Sequence, residues 1–251
     1  MTRAQPVALI TGASRGIGRA TALKLGQAGW AVGVNYTRDA LAAEQTAAEV
    51  ECAGGRALTV QADVADEAAV IAMFDTLERT FGPIDALVNN AGIVAHSMPL
   101  ADMDYARLKR MFDVNVLGAY LCAREAARRM STDRGGHGGA IVNVSSAAAR
   151  LGSPNEYVDY AGSKGAIDTM TLGLAKELGP RAIRVNAVRP GLIDTEIHAS
   201  GGRPERAATL GAQTPAGRPG TAEEVAAAIV WLLSDAASYV NGALLDVAGG
   251  R

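Results

Sequence analysis

Short apolar runs alternate along the chain with longer stretches in which apolar and polar residues mix. Most of the apolar runs are unbroken series of Val, Ile, Leu and Ala, and seven stand out, at 7–11, 31–36, 57–64, 84–92, 140–146, 183–191 and 243–250. Strands that are buried on both faces of a sheet have this composition. The apolar runs therefore predict seven strands of one parallel sheet.

The stretches between the apolar runs are typical of helices. Those at 39–53 and 66–80 are rich in Ala and Glu, and each begins with an Asp, a residue that favours helix N-termini. Further helices are predicted at 104–130, 160–178 and 222–234. This alternation predicts a Rossmann-like, doubly wound α/β fold, in which helices cover both faces of the sheet in three layers, α/β/α.

One domain is expected to span residues 1–251, because no linker, repeat or low-complexity tract divides the chain. The stretch 196–220 is small, polar and rich in Gly and Pro, which predicts a mobile substrate flap at about 192–218 rather than a domain boundary. Arg203 and Arg206 in this flap either meet an anionic part of a substrate or face the solvent.

The overall composition narrows the possible partners. Lys and Arg total 24 and Asp and Glu total 26, so the formal net charge is -2, and nothing favours a nucleic acid or an acidic membrane surface. The chain begins without the pattern of a signal peptide, and the apolar run at 226–233 is too short to span a bilayer. We therefore expect a soluble, cytoplasmic protein.

Cysteine and histidine give no sign of a metal or redox centre. Cys52 and Cys122 lie far apart and form no CxxC motif, so we interpret both as reduced thiols. The histidines, His96, His137 and His198, have no ligand spacing, and no metal site is predicted.

The segment directly after the first predicted strand, from Thr11 to Gly18, reads TGASRGIG. Its glycines, Gly12, Gly16 and Gly18, have the spacing GxxxGxG. Between a strand and a helix, glycines allow a tight turn and let a pyrophosphate approach the NH groups of the helix N-terminus. An ordinary glycine-rich turn has the same residues, but the position after the first strand of a βαβ chain favours a dinucleotide site.

The end of the second predicted strand bears on which dinucleotide binds. An acidic residue there would bind the ribose 2′-hydroxyl of NAD, whereas a basic group would favour the 2′-phosphate of NADP. The strand ends in Asn35, Tyr36, Thr37 and Arg38. Asp39 comes later and is interpreted as a helix cap, and Arg15 in the glycine loop is a second cation near the same place. We predict NADP rather than NAD; the alternative is that both arginines are merely solvated.

The segment 157–164, YVDYAGSK, places two tyrosines before one lysine. Tyr160 and Lys164 are four residues apart and so share one helix face, whereas Tyr157 would lie about 10 Å from Lys164 along the helix axis. A nearby ammonium stabilises a phenolate and lowers the pKa of a tyrosine, which makes Tyr160 a candidate general acid or base. Tyr157 either lines the mouth of the substrate site or packs at the helix entry.

Six motifs occur in order along the chain. They are Thr11-Gly12-x-x-x-Gly16-x-Gly18, Asn89-Asn90-Ala91-Gly92, Asn115, Ser145-Ser146, Tyr160-x-x-x-Lys164 and Pro190-Gly191-x-x-x-Thr195. In this order and spacing the sequence resembles the single-domain short-chain dehydrogenase/reductases, and the resemblance runs from about Val7 to Gly250. It implies an NAD(P)-dependent hydride transfer with an Asn-Ser-Tyr-Lys tetrad, in a homotetramer.

The resemblance implies a role for each residue of the tetrad. Tyr160 is the acid or base, and Lys164 lowers its pKa and holds the nicotinamide ribose. Ser146 orients and polarises the substrate carbonyl, while Ser145, whose side chain points to the opposite face of the strand, is structural. Asn115 holds a water that links Lys164 to solvent.

The resemblance also implies the residues around the cofactor. Asp63 and Val64 correspond to the pair that contacts the adenine, and the loop from Pro190 lies beside the nicotinamide. The predicted cofactor-binding set is Gly12, Ser14, Arg15, Gly16, Ile17, Gly18, Asn35, Tyr36, Thr37, Arg38, Asp63, Val64, Asn89, Ala91, Gly92, Tyr160, Lys164, Pro190, Gly191, Ile193 and Thr195.

The sequence thus predicts an NADP(H)-dependent oxidoreductase that interconverts a carbonyl and a secondary alcohol, as a 3-oxoacyl-thioester reductase or a general ketone reductase does. An NAD-dependent sugar or polyol dehydrogenase of the glucose 1-dehydrogenase kind is the alternative among enzymes. A dinucleotide-sensing binding protein is the alternative outside enzymes. The seventh strand and the helix at 222–234 either form a subunit interface or belong to the core.

Overall fold

A computed structural model of the protein describes residues 5–251, apart from the side chain of His198, so the prediction made for that histidine lies outside the described residues. The strands are β1 (Val7–Ile10), β2 (Ala31–Tyr36), β3 (Arg56–Gln61), β4 (Ala86–Asn89), β5 (Gly139–Val144), β6 (Ile183–Pro190) and β7 (Leu244–Val247). They form one parallel sheet in the order β3-β2-β1-β4-β5-β6-β7. The predicted doubly wound fold is confirmed.

Ten α-helices connect the strands within the described part of the chain. They are α1 (Gly16–Gln27), α2 (Ala40–Cys52), α3 (Glu67–Phe81), α4 (Tyr105–Phe112), α5 (Gly118–Met130), α6 (Ala148–Leu151), α7 (Val158–Leu178), α8 (Ile197–Ser200), α9 (Arg206–Gly211) and α10 (Ala222–Leu233). The side chains of Asp39 and Asp66 accept hydrogen bonds from the backbone of α2 and α3, so the caps form where the sequence predicts them.

The helices divide into two layers, one on each face of the sheet. On one face, apolar side chains of α3, α5 and α7 pack together, with Phe74, Cys122 and Leu178 fully or almost fully buried. On the other face, α1, α2 and α10 pack in the same way, with Leu25 and Ile229 fully buried. Both faces of the sheet are therefore covered, which explains why its strands are unbroken apolar runs.

Six of the predicted strands end earlier than the apolar runs suggest, at Ile10, Gln61, Asn89, Val144, Pro190 and Val247. In each case the chain leaves the sheet at its carboxyl edge and continues as a loop. The predicted site residues Asp63, Ala91 and Ser146 lie in these loops and not in the strands. Residues that bind ligands belong on such loops, because the sheet holds them in place while leaving them accessible.

The helix predicted over 104–130 is interrupted. A π-helical turn, Asp113–Leu117, separates α4 from α5 and contains Asn115. Just after this turn, Gly118 meets the loop that follows β3 so closely that an added Cβ would lie 2.6 Å from Cγ2 of Val64. The wider turn lets the Asn115 side chain reach the loop after β4, and π-helical turns often mark functional sites for this reason.

The region predicted as a mobile flap contains two short helices, α8 and α9, and is bound to the segment before α7. The Arg206 guanidinium donates two hydrogen bonds to the carboxylate of Glu156, at 2.8 and 2.7 Å, and Arg203 donates a third at 2.8 Å. Arg206 is buried, so solvent exposure was the wrong alternative for this residue. Within the described residues, no helix combines the length and apolarity needed to cross a membrane.

Candidate active site

The order of the strands creates a crevice at the carboxyl edge of the sheet. β1 pairs with β2 on one side and with β4 on the other, so the loops after β1 and β4 leave toward opposite faces. A cleft opens there. The predicted site residues that line it are Ile17, Gly92, Ser146, Tyr160, Lys164, Pro190, Gly191, Ile193 and Thr195.

The glycine loop between β1 and α1 favours glycine at each of its three glycine positions. Gly12 and Gly16 adopt positive φ angles of 62° and 54°, which favour glycine. A Cβ on Gly18 would lie 2.4 Å from the carbonyl oxygen of Gly12. A Cβ on Gly16 would lie 3.5 Å from the side chain of Thr195, so the loop after β6 covers the glycine loop. This bare backbone at a helix N-terminus fits a pyrophosphate.

Asn90 holds the glycine loop in place. Its Nδ2 donates hydrogen bonds of 2.9 Å to the carbonyl oxygens of both Thr11 and Gly12. In return, Oγ1 of Thr11 accepts hydrogen bonds from the backbone NH groups of Asn90 and Ala91, at 3.0 and 2.9 Å. The loops after β1 and β4 are therefore joined into one unit.

The side chains of two predicted cofactor-binding asparagines form hydrogen bonds with other residues of the protein. Asn35 is buried: its Oδ1 accepts a hydrogen bond from the NH of Gly12 at 3.1 Å, and its Nδ2 donates to Val60 and Ala62. Asn89 is also buried and donates to Oδ1 of Asn143 at 3.0 Å. Both side chains are thus held by the protein itself, and the contacts of these two residues with the cofactor stay a prediction.

Exposed cations gather at the carboxyl ends of β1 and β2. Arg15 and Arg38 are both exposed, and the end of β2 carries no acid. Asp63 nearby receives hydrogen bonds from Ala65 N at 3.0 Å and from Arg110 at 2.9 Å. Burial acts to raise the pKa of Asp63, but these two bonds and the charge of Arg38 lower it overall. Arg38, which is predicted to bind the 2′-phosphate, thus lies near Asp63, which is predicted to contact the adenine.

Tyr160 and Lys164 lie on one face of α7, at the wall of the cleft. Nζ of Lys164 is 5.7 Å from the centroid of the Tyr160 ring and donates a hydrogen bond of 2.7 Å to the carbonyl oxygen of Val144. Tyr157 precedes the helix at its N-cap position and is buried against Arg206, whose guanidinium carbon lies 5.2 Å from the Tyr157 ring centroid. The helical spacing therefore pairs the lysine with Tyr160.

The two adjacent serines after β5 face different surroundings. Ser146 lines the cleft with Tyr160 and lies near enough to the phenol to act on its pKa, and Oγ of Ser146 accepts a hydrogen bond from Ala148 N at 3.1 Å. Ser145 is buried and donates to the backbone carbonyl of Lys164 at 3.1 Å. Ser146 is thus placed beside the phenol, while Ser145 fixes the α7 backbone.

Asn115 ties the loop after β4 to α7. Its Oδ1 accepts a hydrogen bond from Ile93 N at 2.8 Å, and its Nδ2 donates to the Ile93 carbonyl at 3.0 Å and to Oγ of Ser163 at 3.1 Å. A Cβ on Gly92 would lie 3.4 Å from both Oδ1 of Asn115 and Nζ of Lys164. The glycine therefore keeps open the space between the amide and the ammonium.

The sequence and the fold are similar to those of known oxidoreductases. A family model described as Enoyl-(Acyl carrier protein) reductase matches residues 12–251. An uncharacterised oxidoreductase from Escherichia coli, YgfF, is 55% identical over 245 residues, which are 98% of this chain and 99% of that protein. The chain belongs to the short-chain dehydrogenase/reductase family.

The chain is also similar to two other named enzymes and to a solved structure. An NADPH-dependent aldehyde reductase-like protein from Arabidopsis thaliana is 40% identical over 97% of this chain and 93% of its own. A cis-4-hydroxycyclohexanecarboxylate dehydrogenase from Sinomonas cyclohexanicum is 42% identical over 98% and 96%. The crystal structure of a short-chain type dehydrogenase/reductase from Mycobacterium marinum superimposes with a TM-score of 0.91, at 37% identity over 98% and 95% of the two chains.

The pKa of Tyr160 in this short-chain dehydrogenase/reductase differs from the sequence-based prediction, and the pKa of Lys164 is shifted as well. The pKa of Tyr160 is raised, because burial of the phenol outweighs the opposing effect of the nearby Ser146 hydroxyl. Burial also lowers the pKa of Lys164 to about 8, against the opposing charge of Asp168. The net pKa of Tyr160 is therefore raised and not lowered as predicted, because Nζ of Lys164 is directed at the Val144 carbonyl and desolvation acts on both groups.

Several residues of the short-chain dehydrogenase/reductase site were missed from the sequence. Asn90 stands directly beside Asn89 in the quoted motif, and a polar residue at the end of a strand was the available signal. The apolar side chains Leu151, Leu192 and Ile197 also line the cleft. They gave no signal, because apolar residues in loops look the same whether they contact a substrate or pack against the protein.

Proposed function

We propose that this short-chain dehydrogenase/reductase reduces the carbonyl group of a small molecule with NADPH, and catalyses the reverse oxidation of a secondary alcohol. The observation that carries the proposal is the convergence of Ser146, Tyr160 and Lys164 on the wall of a cleft that also contains the exit of the glycine loop. A proton donor and a loop suited to a dinucleotide thus border the same cleft. Coupled transfer of a hydride and a proton to one substrate requires this arrangement.

The proposed roles follow from these contacts. The cofactor, when bound, supplies the hydride to the carbonyl carbon. Tyr160 gives its phenolic proton to the carbonyl oxygen, and Ser146 donates a hydrogen bond to the same oxygen. Lys164, as an ammonium, stabilises the phenolate that remains. The open space between Lys164 and Asn115 is suited to a water through which the phenolate regains a proton.

NADPH is the cofactor that the charges favour. The end of β2 has no carboxylate to bind a ribose 2′-hydroxyl, while Arg15 and Arg38 are exposed beside it. The glycine loop and Asn90 would hold the pyrophosphate, and Lys164 the nicotinamide ribose. The Arabidopsis relative that is named NADPH-dependent supports this choice.

Arg38→Gln is expected to weaken NADPH binding by about tenfold, because it removes a charged hydrogen-bond donor to the 2′-phosphate. NADH has no such phosphate, so its affinity is expected to stay unchanged. Calorimetric titration of both cofactors measures the effect. Arg79→Gln, at an exposed site on α3, is the matched control and should change neither affinity. A wild-type protein that binds NADH more tightly than NADPH would contradict the choice of NADPH and favour the sugar dehydrogenase alternative.

The substrate class can be narrowed by a screen. NADPH consumption with cyclic ketones, 3-oxoacyl thioesters and keto sugars tests the proposed reduction directly. The Sinomonas relative makes 4-oxocyclohexanecarboxylate a rational member of the ketone panel. Turnover of a sugar with NAD alone would favour the polyol alternative, and tight NADPH binding without turnover of any compound would favour a dinucleotide-sensing protein.

We also propose that the protein forms the homotetramer that its family resemblance implies. α10 supplies buried residues to the core, including Ile229 and Leu232, yet its Trp231 is 43% exposed on the outer side. The helix therefore serves the core and still presents an apolar side chain at the surface. Light scattering of the purified protein tests the proposal, and the molar mass of one chain would contradict it.

A further inference from the structure

A buried ion pair lies one helical turn from Lys164. Asp168 follows Lys164 by four residues on α7 and is 8% exposed. Arg189 on β6 donates two hydrogen bonds to it, from Nε at 3.0 Å and from a terminal nitrogen at 2.8 Å. Both bonds end on the same carboxylate oxygen, Oδ2. Arg189 precedes Pro190, which lines the cleft, so the pair lies just behind the site.

The other oxygen of this carboxylate is left without a hydrogen bond. Oδ1 of Asp168 is buried and has no hydrogen-bond partner within the described residues. Leaving such an atom unsatisfied costs about 1–3 kcal/mol, and a buried ion pair adds little net stability. Stability alone therefore gives no reason for a carboxylate in this position, and its effect on its neighbour has to be considered.

That neighbour is the ammonium of Lys164, and few charged groups face it. On its own helix they are Tyr160 and Asp168, and from β5 the neutral carbonyl of Val144 accepts its hydrogen bond. From β6, Arg189 reaches the Asp168 carboxylate. On β7, Asp246 lies 4.0 Å from Arg189 and 3.2 Å from Arg150. Asp168 is thus the anion that acts on Lys164, and Arg189 is the cation that competes for it.

We propose that Asp168 and Arg189 are positioning residues that together set the charge state of Lys164. Asp168 favours the ammonium form, and Arg189 limits this effect by binding the carboxylate through Oδ2. The inference rests on the proposed function, because it matters for catalysis only if Lys164 acts there as an ammonium. It names two residues outside the tetrad and the cofactor loop that control the chemistry of the site.

The expected directions of change are opposite for the two residues. Lys164 has a pKa of about 8, lowered by burial and opposed by Asp168. The ammonium is present below this pKa and lost as the pH rises through it. Asp168→Asn removes the anion and leaves Arg189, so the titration of Lys164 should move to lower pH by about one unit. Arg189→Gln frees the carboxylate, so the titration should move to higher pH.

The test that does not depend on turnover is a direct titration of the lysines. The chain has four, Lys24, Lys109, Lys164 and Lys176, so the Cε signals of protein labelled with ¹³C-lysine can be resolved by NMR. Lys164→Met assigns the signal of interest. Asp133→Asn, which removes a carboxylate from an exposed pair with Arg181 at 2.8 Å, is the matched control and should leave the Lys164 titration unchanged.

The second readout is the pH profile of kcat/KM for NADPH-dependent reduction, whose alkaline limb should follow the NMR titration in each variant. Asp168→Glu keeps the charge and should retain the wild-type limb, and the shift of Arg189→Gln to higher pH decides the proposal if Asp168→Asn fails to fold. Shifts in the same direction for Asp168→Asn and Arg189→Gln, or no shift in either, would overturn the inference. Absence of turnover with every ketone would instead defeat the proposed function, while the NMR titration would still decide the role of the pair.

Discussion

Tyr160→Phe is expected to lower kcat for NADPH-dependent carbonyl reduction by about a thousandfold, because it removes the proton donor and leaves the ring. The lost hydroxyl is the proposed proton donor, and Tyr160 lines the wall of the cleft together with Ser146. The ring and its contact with Lys164 remain, and the glycine loop lies on other elements of the fold. NADPH affinity, measured by fluorescence titration, is therefore expected to stay close to that of the wild-type protein.

Tyr157→Phe is the matched control, since it makes the same chemical change three residues earlier. Tyr157 lies at the N-cap of α7, buried against Arg206, and its ring lines the outer part of the cleft. Its hydroxyl has no place in the proposed proton transfer, so at most KM for the substrate should change. If Tyr157→Phe abolished turnover and Tyr160→Phe did not, the assignment of the acid would be reversed.

Gly18→Ala is expected to weaken NADPH binding by at least about a hundredfold, because the displaced loop loses charge-assisted hydrogen bonds to the pyrophosphate. The added Cβ would lie 2.4 Å from the Gly12 carbonyl oxygen, 2.6 Å from Nδ2 of Asn90 and 2.9 Å from Cα of Ala13. Two of these atoms belong to the backbone, so the loop itself must move and Asn90 loses its hold on it. Overpacking of this kind also lowers the free energy of unfolding by about 1–3 kcal/mol.

Gly173→Ala makes the same substitution in a place that tolerates it. Gly173 lies on the exposed side of α7, and a Cβ there would meet nothing within 4 Å. Alanine in a helix interior should raise the free energy of unfolding by about 0.5–1 kcal/mol and leave NADPH affinity unchanged. Denaturant unfolding and cofactor titration of both variants separate the two cases. Equal NADPH affinities for Gly18→Ala and Gly173→Ala would contradict the proposed role of the loop.

Most of the fold could be predicted from the sequence because its determinants are local. All seven strands form where unbroken apolar runs occur, and Asp39 and Asp66 cap the helices that they begin. The ends of the strands were less predictable, since the apolar runs continue into loops such as the one that contains Ala91. The break between α4 and α5 was not predictable either, because it depends on contacts that Asn115 makes with Ile93, 22 residues away.

The candidate site also has features that could be predicted from the sequence and features that could not. The spacing of Tyr160 and Lys164 placed them together, since four residues bring two side chains onto one face of any helix. The burial of Asn35 beneath the glycine loop could not be predicted, because it depends on the pairing of β2 with both β1 and β3. The pairing of Asp168 with Arg189 joins residues 21 apart in sequence and had no signal in the local pattern.

The sequence by itself determined the alternation of strands and helices, the glycine loop and the pairing of Tyr160 with Lys164, because each depends on residues that are close in the chain. Only the tertiary structure decided which partners these groups have. Asn90 reaches Thr11 across 79 positions, and Lys164 reaches the Val144 carbonyl across 20, once the strands are ordered in the sheet. Burial in that arrangement then sets the charge of the lysine, since desolvation exists only in the folded protein.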